Sequence, residues 1–282
     1  MPINDYICRY TFLIEMRAVN IFVAAVMVIG LSACRPVQKS FDLTVVQYNV
    51  GVFDKYDGSG FEPVARAVSE VGADVVTLNE VDSCAVRTGK VDQLSLFADV
   101  AGGWNYHFVS AMPFDGGAYG VGVASRPELE IIRTDKVALP KMNGFEPRAL
   151  AVVEYRDFII CSTHLGLREE ARLEQVKVIN QYFDNTYPDC CKPIFLCGDF
   201  NSLPDSGTLR LLQQTWQLLT PEDLSFPSHM PDRCIDYIFV RPNGKKVTVK
   251  SAAVVQSLTT VDLATASDHL PVVLSVTVGC DR

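Results

Sequence analysis

The stretch IFLCGDFNSLPDS, residues 194–206, decides how the rest of the chain is read. Its first four residues, Ile194 to Cys197, form an apolar run with the length of a buried strand, and the run stops abruptly at Gly198, Asp199, Phe200 and Asn201. Side chains alternate along an extended backbone, so Asp199 and Asn201 point to the same side. A carboxylate and a carboxamide therefore meet at the C-terminal edge of a strand. The pattern recurs along the chain. VVQYN ends at Asn49, VVTLNE at Glu80 and FIICSTH at His164, while IDYIFV begins at Asp236 and Ser267-Asp268-His269 precedes PVVLSVTV.

Between these landmarks the periodicity predicts strands at Leu43–Tyr48, Asp74–Leu78, Trp104–Ser110, Tyr119–Ser125, Leu129–Leu139, Ala149–Tyr155, Phe158–His164, Ile235–Val240, Val247–Gln256 and Pro271–Val278. Helices are expected over Pro63–Val71, Gln93–Val100, Glu169–Tyr182 and Gly207–Trp216. The third is the best defined, with Leu173, Val176, Ile179 and Phe183 on one stripe. Arg156-Asp157 is a two-residue hairpin link. Strands outnumber helices and hairpins mix with crossovers, which favours an α/β sandwich of mixed sheets over one parallel doubly wound sheet.

The apolar content of 48% is ample for one large core, and no low-complexity linker divides the 282 residues. The formal charge is −8, to which residues 1–33 add nothing. Such a balance argues against a dedicated duplex-DNA binder, though not against a site where bound cations supply positive charge. Of the nine cysteines, Cys8 and Cys34 fall in the leader; the remaining seven show no zinc-ligand spacing. Cys161 and Cys197 lie inside strand-like runs and read as small buried hydrophobes. One or two disulfides among the others are compatible with the sequence.

Residues 18–33, AVNIFVAAVMVIGLSA after Arg17, are short for a spanning helix and suit the apolar region of an export signal. The run ends in Leu31-Ser32-Ala33-Cys34, which resembles the lipobox of bacterial lipoprotein signal peptides, with Cys34 as the lipidated residue. Met16 is then the natural start, residues 1–34 a leader, 35–40 a tether and 41–282 the working domain. A lipid-anchored protein of the cell envelope is expected, on the periplasmic or outer-membrane face, with an ordinary cleaved signal or a single membrane anchor as the plainer alternative.

Taken singly, the polar residues have ordinary explanations: a solvated strand end for Glu80, a turn for Asn49, a turn start for Asp199. Together they supply what in-line phosphate-ester hydrolysis needs, namely an activated water, neutralised phosphoryl charge and help for the leaving oxygen. Hard cations take oxygen ligands, so Glu80 and Asp268, with Asn49 as a neutral third, are the candidate metal ligands. Asp236 can pair with His269 and fix its tautomer. His107 and His229 sit in no polar cluster and read as structural or surface residues.

The order Asn49, Glu80, His164, GDFN, IDYIF, SDH resembles the endonuclease/exonuclease/phosphatase superfamily over nearly all of Phe41 to Val278. The resemblance implies a four-layer α/β sandwich, with two central mixed β-sheets flanked by helices and a metal-bearing cleft where the loops meet. It implies a Mg²⁺- or Mn²⁺-dependent hydrolase of phosphate esters, with Asn49 and Glu80 at the family's metal positions and His164 at its phosphate-contacting histidine. Asp199 and Asn201 take the water-activating and orienting positions; Asp236, Asp268 and His269 form the Asp-His dyad plus metal ligand. Which of Asp199 and His269 is the base stays open. Arg148, in EPRALAVVEY, and Tyr119, in GGAYGVG, are candidates to contact the substrate phosphate. Asn79 stands where members commonly have Gln, and the basic segments of the repair nucleases are absent from the sequence. A small-molecule or lipid phosphoester is the expected substrate and a monomer the expected state. The alternatives are a DNA endonuclease or exonuclease of the same superfamily and an inactive surface binding protein.

Overall fold

The computed structural model describes residues 40–53, 60–143 and 146–280. The expected leader, Cys34 and the tether up to residue 39 lie outside the described residues. Two six-stranded sheets organise the chain. The first contains β1 (Phe41–Asn49), β2 (Val75–Ser83), β3 (Asn105–Phe114), β4 (Gly117–Ser125), β11 (Lys245–Val254) and β12 (Val272–Cys280), in the order β11-β12-β1-β2-β4-β3. The second contains β5 (Arg133–Leu139), β6 (Arg148–Glu154), β7 (Ile159–His164), β8 (Ile194–Asp199), β9 (Gln217–Leu218) and β10 (Asp236–Arg241), in the order β5-β6-β7-β8-β10-β9. Each sheet is mixed: β1–β2 and β7–β8 are parallel, and the other described pairings are antiparallel.

Three apolar layers hold this arrangement. Between the sheets lie Val45, Val75, Val123, Ala151, Phe195 and Ile238. The outer face of the first sheet packs Val46, Tyr48, Val76 and Leu78 on Val64, Val68, Leu94 and Phe97 of α1 (Glu62–Glu70) and α2 (Gln93–Val100). The outer face of the second packs Leu196 and Phe239 on Val176, Ile179, Phe183, Leu209 and Leu212 of α3 (Glu169–Thr186) and α4 (Gly207–Leu212). Burying a phenylalanine such as Phe195 or Phe239 contributes about 1.5–3 kcal/mol. The result is the α/β sandwich expected from the sequence.

Alternation along the strands explains where the polar residues go. The inward positions of β1 are Leu43, Val45, Gln47 and Asn49; of β7, Ile160, Ser162 and His164; of β8, Phe195, Cys197 and Asp199. Strand β10 runs antiparallel to β8, so its inward series Val240, Ile238, Asp236 ends at the same edge. Every central strand is dry at one end of the inner layer and polar at the other.

Several expected boundaries shift. Strand β2 continues to Ser83 instead of ending at Glu80, and the expected helix over Gly207–Trp216 stops at Leu212, followed by the short β9. A short helix, α5 (Leu263–Ala266), precedes the SDH cluster and is capped by Asp262, whose carboxylate accepts from Ala264 N. Its four residues are too few to leave a periodic signal. Cys84, Cys161, Cys190, Cys191, Cys197 and Cys234 are free thiols, so no disulfide joins them.

Candidate active site

His164, Asp199 and Asp236 stand side by side in one cross-strand row at the polar edge of the second sheet. Close approach of the strands demands Gly198, where a Cβ would sit 2.0 Å from the Thr163 carbonyl oxygen. Asn49 ends β1 opposite Asn79 in the first sheet. Ser267 ties the SDH segment to this edge by donating its hydroxyl to the Asn49 carbonyl at 2.6 Å.

Glu80 reaches the same place by an irregularity. The β2–β4 register slips between Asn79 and Val81, leaving Glu80 as the extra residue of a bulge with φ +56°. A regular strand would send Glu80 to the face opposite Asn79; the bulge redirects it, at the cost of a left-handed conformation that residues other than glycine seldom adopt. Asn201 is also left-handed, with φ +48°.

Asn49 bridges the two sheets' carboxylates. Its Nδ2 donates to Glu80 Oε1 at 3.1 Å and to Asp199 Oδ2 at 3.2 Å, while its Oδ1 accepts from Gly51 N. The amide thus turns its nitrogen, not its oxygen, toward Glu80. Asp199 Oδ1 accepts from Asn201 N at 2.8 Å, and Oδ2 also faces His164 Nε2 at 3.5 Å and His269 Nε2 at 3.7 Å. Arg148 Nη1 lies 3.3 Å from His164 Nδ1. Since a guanidinium only donates, Nδ1 accepts and the His164 proton resides on Nε2, toward Asp199. Asp236 Oδ2 accepts from His269 Nδ1 at 2.8 Å and from Ser225 Oγ at 2.7 Å.

A buried amide network lies beneath. Gln47 Nε2 donates to Asn79 Oδ1 at 2.6 Å and to Asp236 Oδ1 at 3.2 Å. Asn79 Nδ2 donates to the Thr163 carbonyl at 2.9 Å, and its Oδ1 accepts from Asp199 N at 3.0 Å. Asn79 therefore positions strands of both sheets at once.

Burial, followed by the charge of Asp236, raises the Asp199 pKa above the usual carboxylate range. For His269 burial opposes protonation, but the charge and hydrogen bond of Asp236, with Asp199 and Asp268, raise it to about 9. Burial, then Glu80, raises the Tyr119 phenol.

Glu80, Tyr119, Arg148, His164, Asp199, Asn201, Asp268 and His269 line one cleft of about 560 Å³. Asn49 and Asp236 support its floor. The cleft also takes in Arg87, Met112, Phe114, Glu146, Phe226 and Arg233, none of which stands out in the sequence, where each reads as an ordinary loop or strand residue. Glu146 holds Arg148 Nη2 at 3.1 Å. His229 is exposed, and His107 lies half-buried in β3.

The donor set suits a hard cation. Carboxylates of Glu80, Asp199 and Asp268 line the cleft, the first two held by the buried Asn49 amide, with no thiolate among the cleft-lining residues. Asp199, Asp236 and His269 also come within 4.8 Å of one another and could hold an ion. Asp236, however, already engages Gln47, Ser225 and His269, which leaves the Glu80–Asp268 side better suited.

The sequence profile of the Endonuclease/Exonuclease/phosphatase family matches residues 46–269. The chain belongs to this family. Members are phosphoesterase hydrolases that generally depend on a divalent metal. A family protein from Bacteroides thetaiotaomicron shares the fold with a TM-score of 0.70 and 18% identity, over 86% of this chain and all (100%) of that one. A mannosyl-6-phosphatase from the same species has a TM-score of 0.69 and 19% identity, covering 83% of this chain and 99% of its own. ANGEL2, a 2′,3′-cyclic phosphatase, has a TM-score of 0.66 and 14% identity, over 86% and 98% of the two chains. At these identities the likeness establishes the shared fold. Among the curated proteins, none matches.

Proposed function

We propose that this family member is a divalent-metal-dependent hydrolase of small-molecule or lipid phosphate esters. The observation that carries the reading is the convergence on Asp199: an amide and two imidazoles from both sheets face its Oδ2, in a cleft shared with Glu80 and Asp268. Glu80 and Asp268 would hold Mg²⁺ or Mn²⁺, with Asn49 orienting Glu80 through its Nδ2, and the ion would neutralise charge on the phosphoryl oxygens and the departing oxygen.

Asp199 orients the attacking water and takes its proton at Oδ2; Oδ1 is held by the Asn201 N–H. Geometry favours Asp199 over His269 as the base, because Asp236 holds the His269 ring by Nδ1 and turns its Nε2 beside Oδ2. His269 and His164 then donate to phosphoryl oxygens, His164 with its tautomer fixed by Arg148. Arg148 and Tyr119 complete the phosphate side. The two named phosphatases among the structural neighbours support monoester or cyclic-ester chemistry over DNA cleavage, as does the formal charge of −8. We also read Cys34 as a lipid anchor that carries the enzyme on the cell envelope, on the strength of the sequence.

The test is hydrolysis by the purified protein in Mg²⁺ of a sugar phosphate, p-nitrophenyl phosphate, sphingomyelin and plasmid DNA. Phosphate or phosphocholine release that outpaces DNA nicking supports the reading; efficient nicking alone overturns the substrate class in favour of a nuclease.

A further inference from the structure

A second ion pair, with its carboxylate buried and its guanidinium partly exposed, faces the cleft beside the catalytic floor. Asp82, near the end of β2, is fully buried. Its carboxylate accepts from Arg87 Nε at 2.7 Å, Arg87 Nη2 at 2.9 Å and Thr88 Oγ1 at 3.2 Å. The guanidinium lies 4.3 Å from the centre of the Phe114 ring and 5.6 Å from that of Tyr119. The backbone is anchored too: Arg87 N donates to Asp115 Oδ2 at 2.6 Å, and Val86 N to the Asp115 carbonyl at 2.9 Å. The Val86–Thr88 turn is thereby locked to the tip of the β3–β4 hairpin, where Asp115 and Gly116 have φ of +46° and +81°. Arg87 lines the same cleft as Glu80 and His269.

This arginine is preorganised and incompletely used. Its Nε–Nη2 edge is committed to Asp82 and its face to Phe114. Among the described residues, Nη1 makes no hydrogen bond. What remains is a directed pair of N–H donors on a group whose charge is already balanced by a buried carboxylate. Around it the cleft sets Glu80, Glu146, Asp199 and Asp268 against Arg87, Arg148 and Arg233, and Arg148 is itself paired with Glu146. With a metal and Arg148 taken up by the reacting phosphate, this lining offers little uncompensated positive charge to a second anion. It does offer donors and acceptors to neutral hydroxyls. A cleft of about 560 Å³ has room for more than the phosphate itself.

We propose that Arg87 is a specificity-determining residue that donates hydrogen bonds to hydroxyl oxygens on the organic part of the substrate. The site then takes phosphate esters of polyhydroxylated compounds, such as sugar phosphates, ahead of bisphosphates and bare aryl phosphates. Asp82 and Phe114 are positioning residues acting through Arg87. The inference rests on the phosphoesterase reading and deepens it.

The test measures kcat and KM of the wild-type protein, Arg87→Lys and Phe114→Leu in Mg²⁺ on glucose 6-phosphate, p-nitrophenyl phosphate and fructose 1,6-bisphosphate. Lysine keeps a cation opposite Asp82 but loses the fork, and Phe114→Leu leaves the ion pair while removing the ring beneath it. Arg87→Lys is expected to raise KM for glucose 6-phosphate about tenfold or more, with a smaller change in kcat and a much smaller KM change for p-nitrophenyl phosphate. Phe114→Leu should shift the same ratio in the same direction by less. Equal losses on both monophosphates, with a lowered thermal midpoint, would mean a structural role and overturn the proposal. So would a wild-type preference for the bisphosphate that vanishes in Arg87→Lys, since Arg87 would then read an anion. Cleavage of phosphodiesters but of none of these three probes would overturn this inference and leave the phosphoesterase reading standing; no hydrolysis of any ester would remove both.

Discussion

The floor and the rim of the cleft are built on different principles. On the floor, Gln47, Asn49, Asn79, Asp199, Asp236 and His269 are nearly sealed from solvent and hydrogen-bonded to one another across both sheets. At the rim, Arg87 and Arg233 hold aromatic rings on one side and water on the other, with side chains 40% and 53% exposed. Moving one floor residue disturbs the next, because several of these hydrogen bonds run from one floor residue to another. Arg233, paired with exposed Asp232, can change with less consequence for its neighbours, whereas Arg87 is tied to buried Asp82. On the proposed reading, the floor carries the chemistry and the rim the choice of substrate.

The floor should fail hardest. Asp199→Asn and His269→Ala are each expected to lower kcat about 10²–10⁴-fold in a protein that still folds, with a lowered thermal midpoint for His269→Ala because buried Asp236 loses its partner. Steady-state rates beside calorimetric melts check this; near-normal rates in either variant would remove that residue from the chemistry. Asn79→Leu breaks contacts with Gln47, Thr163 and Asp199 together and leaves buried polar groups unsatisfied, so it should cost about 2–3 kcal/mol of stability as well as activity. Denaturant unfolding reads the first loss and turnover the second. An Asn79→Leu protein with unchanged midpoint and rate would show that the two sheets do not depend on this amide. Between floor and rim, Arg148→Ala should raise KM about tenfold or more, through loss of a charge-assisted contact to phosphate and of the His164 tautomer lock.

The floor was the more legible region in the sequence, and the reason is periodicity. Asn49, His164 and Asp199 stand where apolar strand runs end, so they collect at strand edges, and the GDFN and SDH clusters mark that edge; Gln47 and Ser162, inside the runs, carry no such mark. The two sheets, and most of their strands, follow from the same runs. Less legible was anything that breaks the period. The bulge at Glu80 adds one residue to β2, and the strand runs past the position where a regular reading ends it. Arg87 and Phe114 come from a turn and a hairpin tip far apart in sequence, and nothing local signals that buried Asp82 will bring them to the cleft.

Rim substitutions should have smaller effects. Arg233→Ala removes an exposed guanidinium 4.7 Å from the centre of the Phe226 ring, a contact of about 0.5–1 kcal/mol, and should change kcat/KM only a few-fold. A loss as large as that of Asp199→Asn would erase the division between the regions.

Smallest of all is a contact outside both. Glu70 accepts from the amides and hydroxyls of Thr259 and Thr260, and these hydrogen bonds, that of the Thr260 hydroxyl foremost, lower its pKa from 4.5 to about 2. A depressed carboxyl stabilises the fold fully above the unfolded value and loses that contribution as pH falls toward the folded one. The melting difference between wild type and Glu70→Gln should therefore be steady above pH 5 and narrow as the solution is acidified, with kcat at neutral pH little altered. A difference that widened on acidification would reverse the sign of this linkage.

On the proposed function, side chains from two sheets form one metal-dependent hydrolytic centre. Its most direct test is phosphate release from a sugar phosphate or p-nitrophenyl phosphate by wild type and Glu80→Gln, with Mg²⁺ titrated back after a chelator. Chelation is expected to stop release, Mg²⁺ or Mn²⁺ to restore it, and Glu80→Gln to need far more metal to reach a much lower plateau. Release that continues undiminished in chelator, or a Glu80→Gln titration that overlays the wild-type curve, would contradict the proposed function.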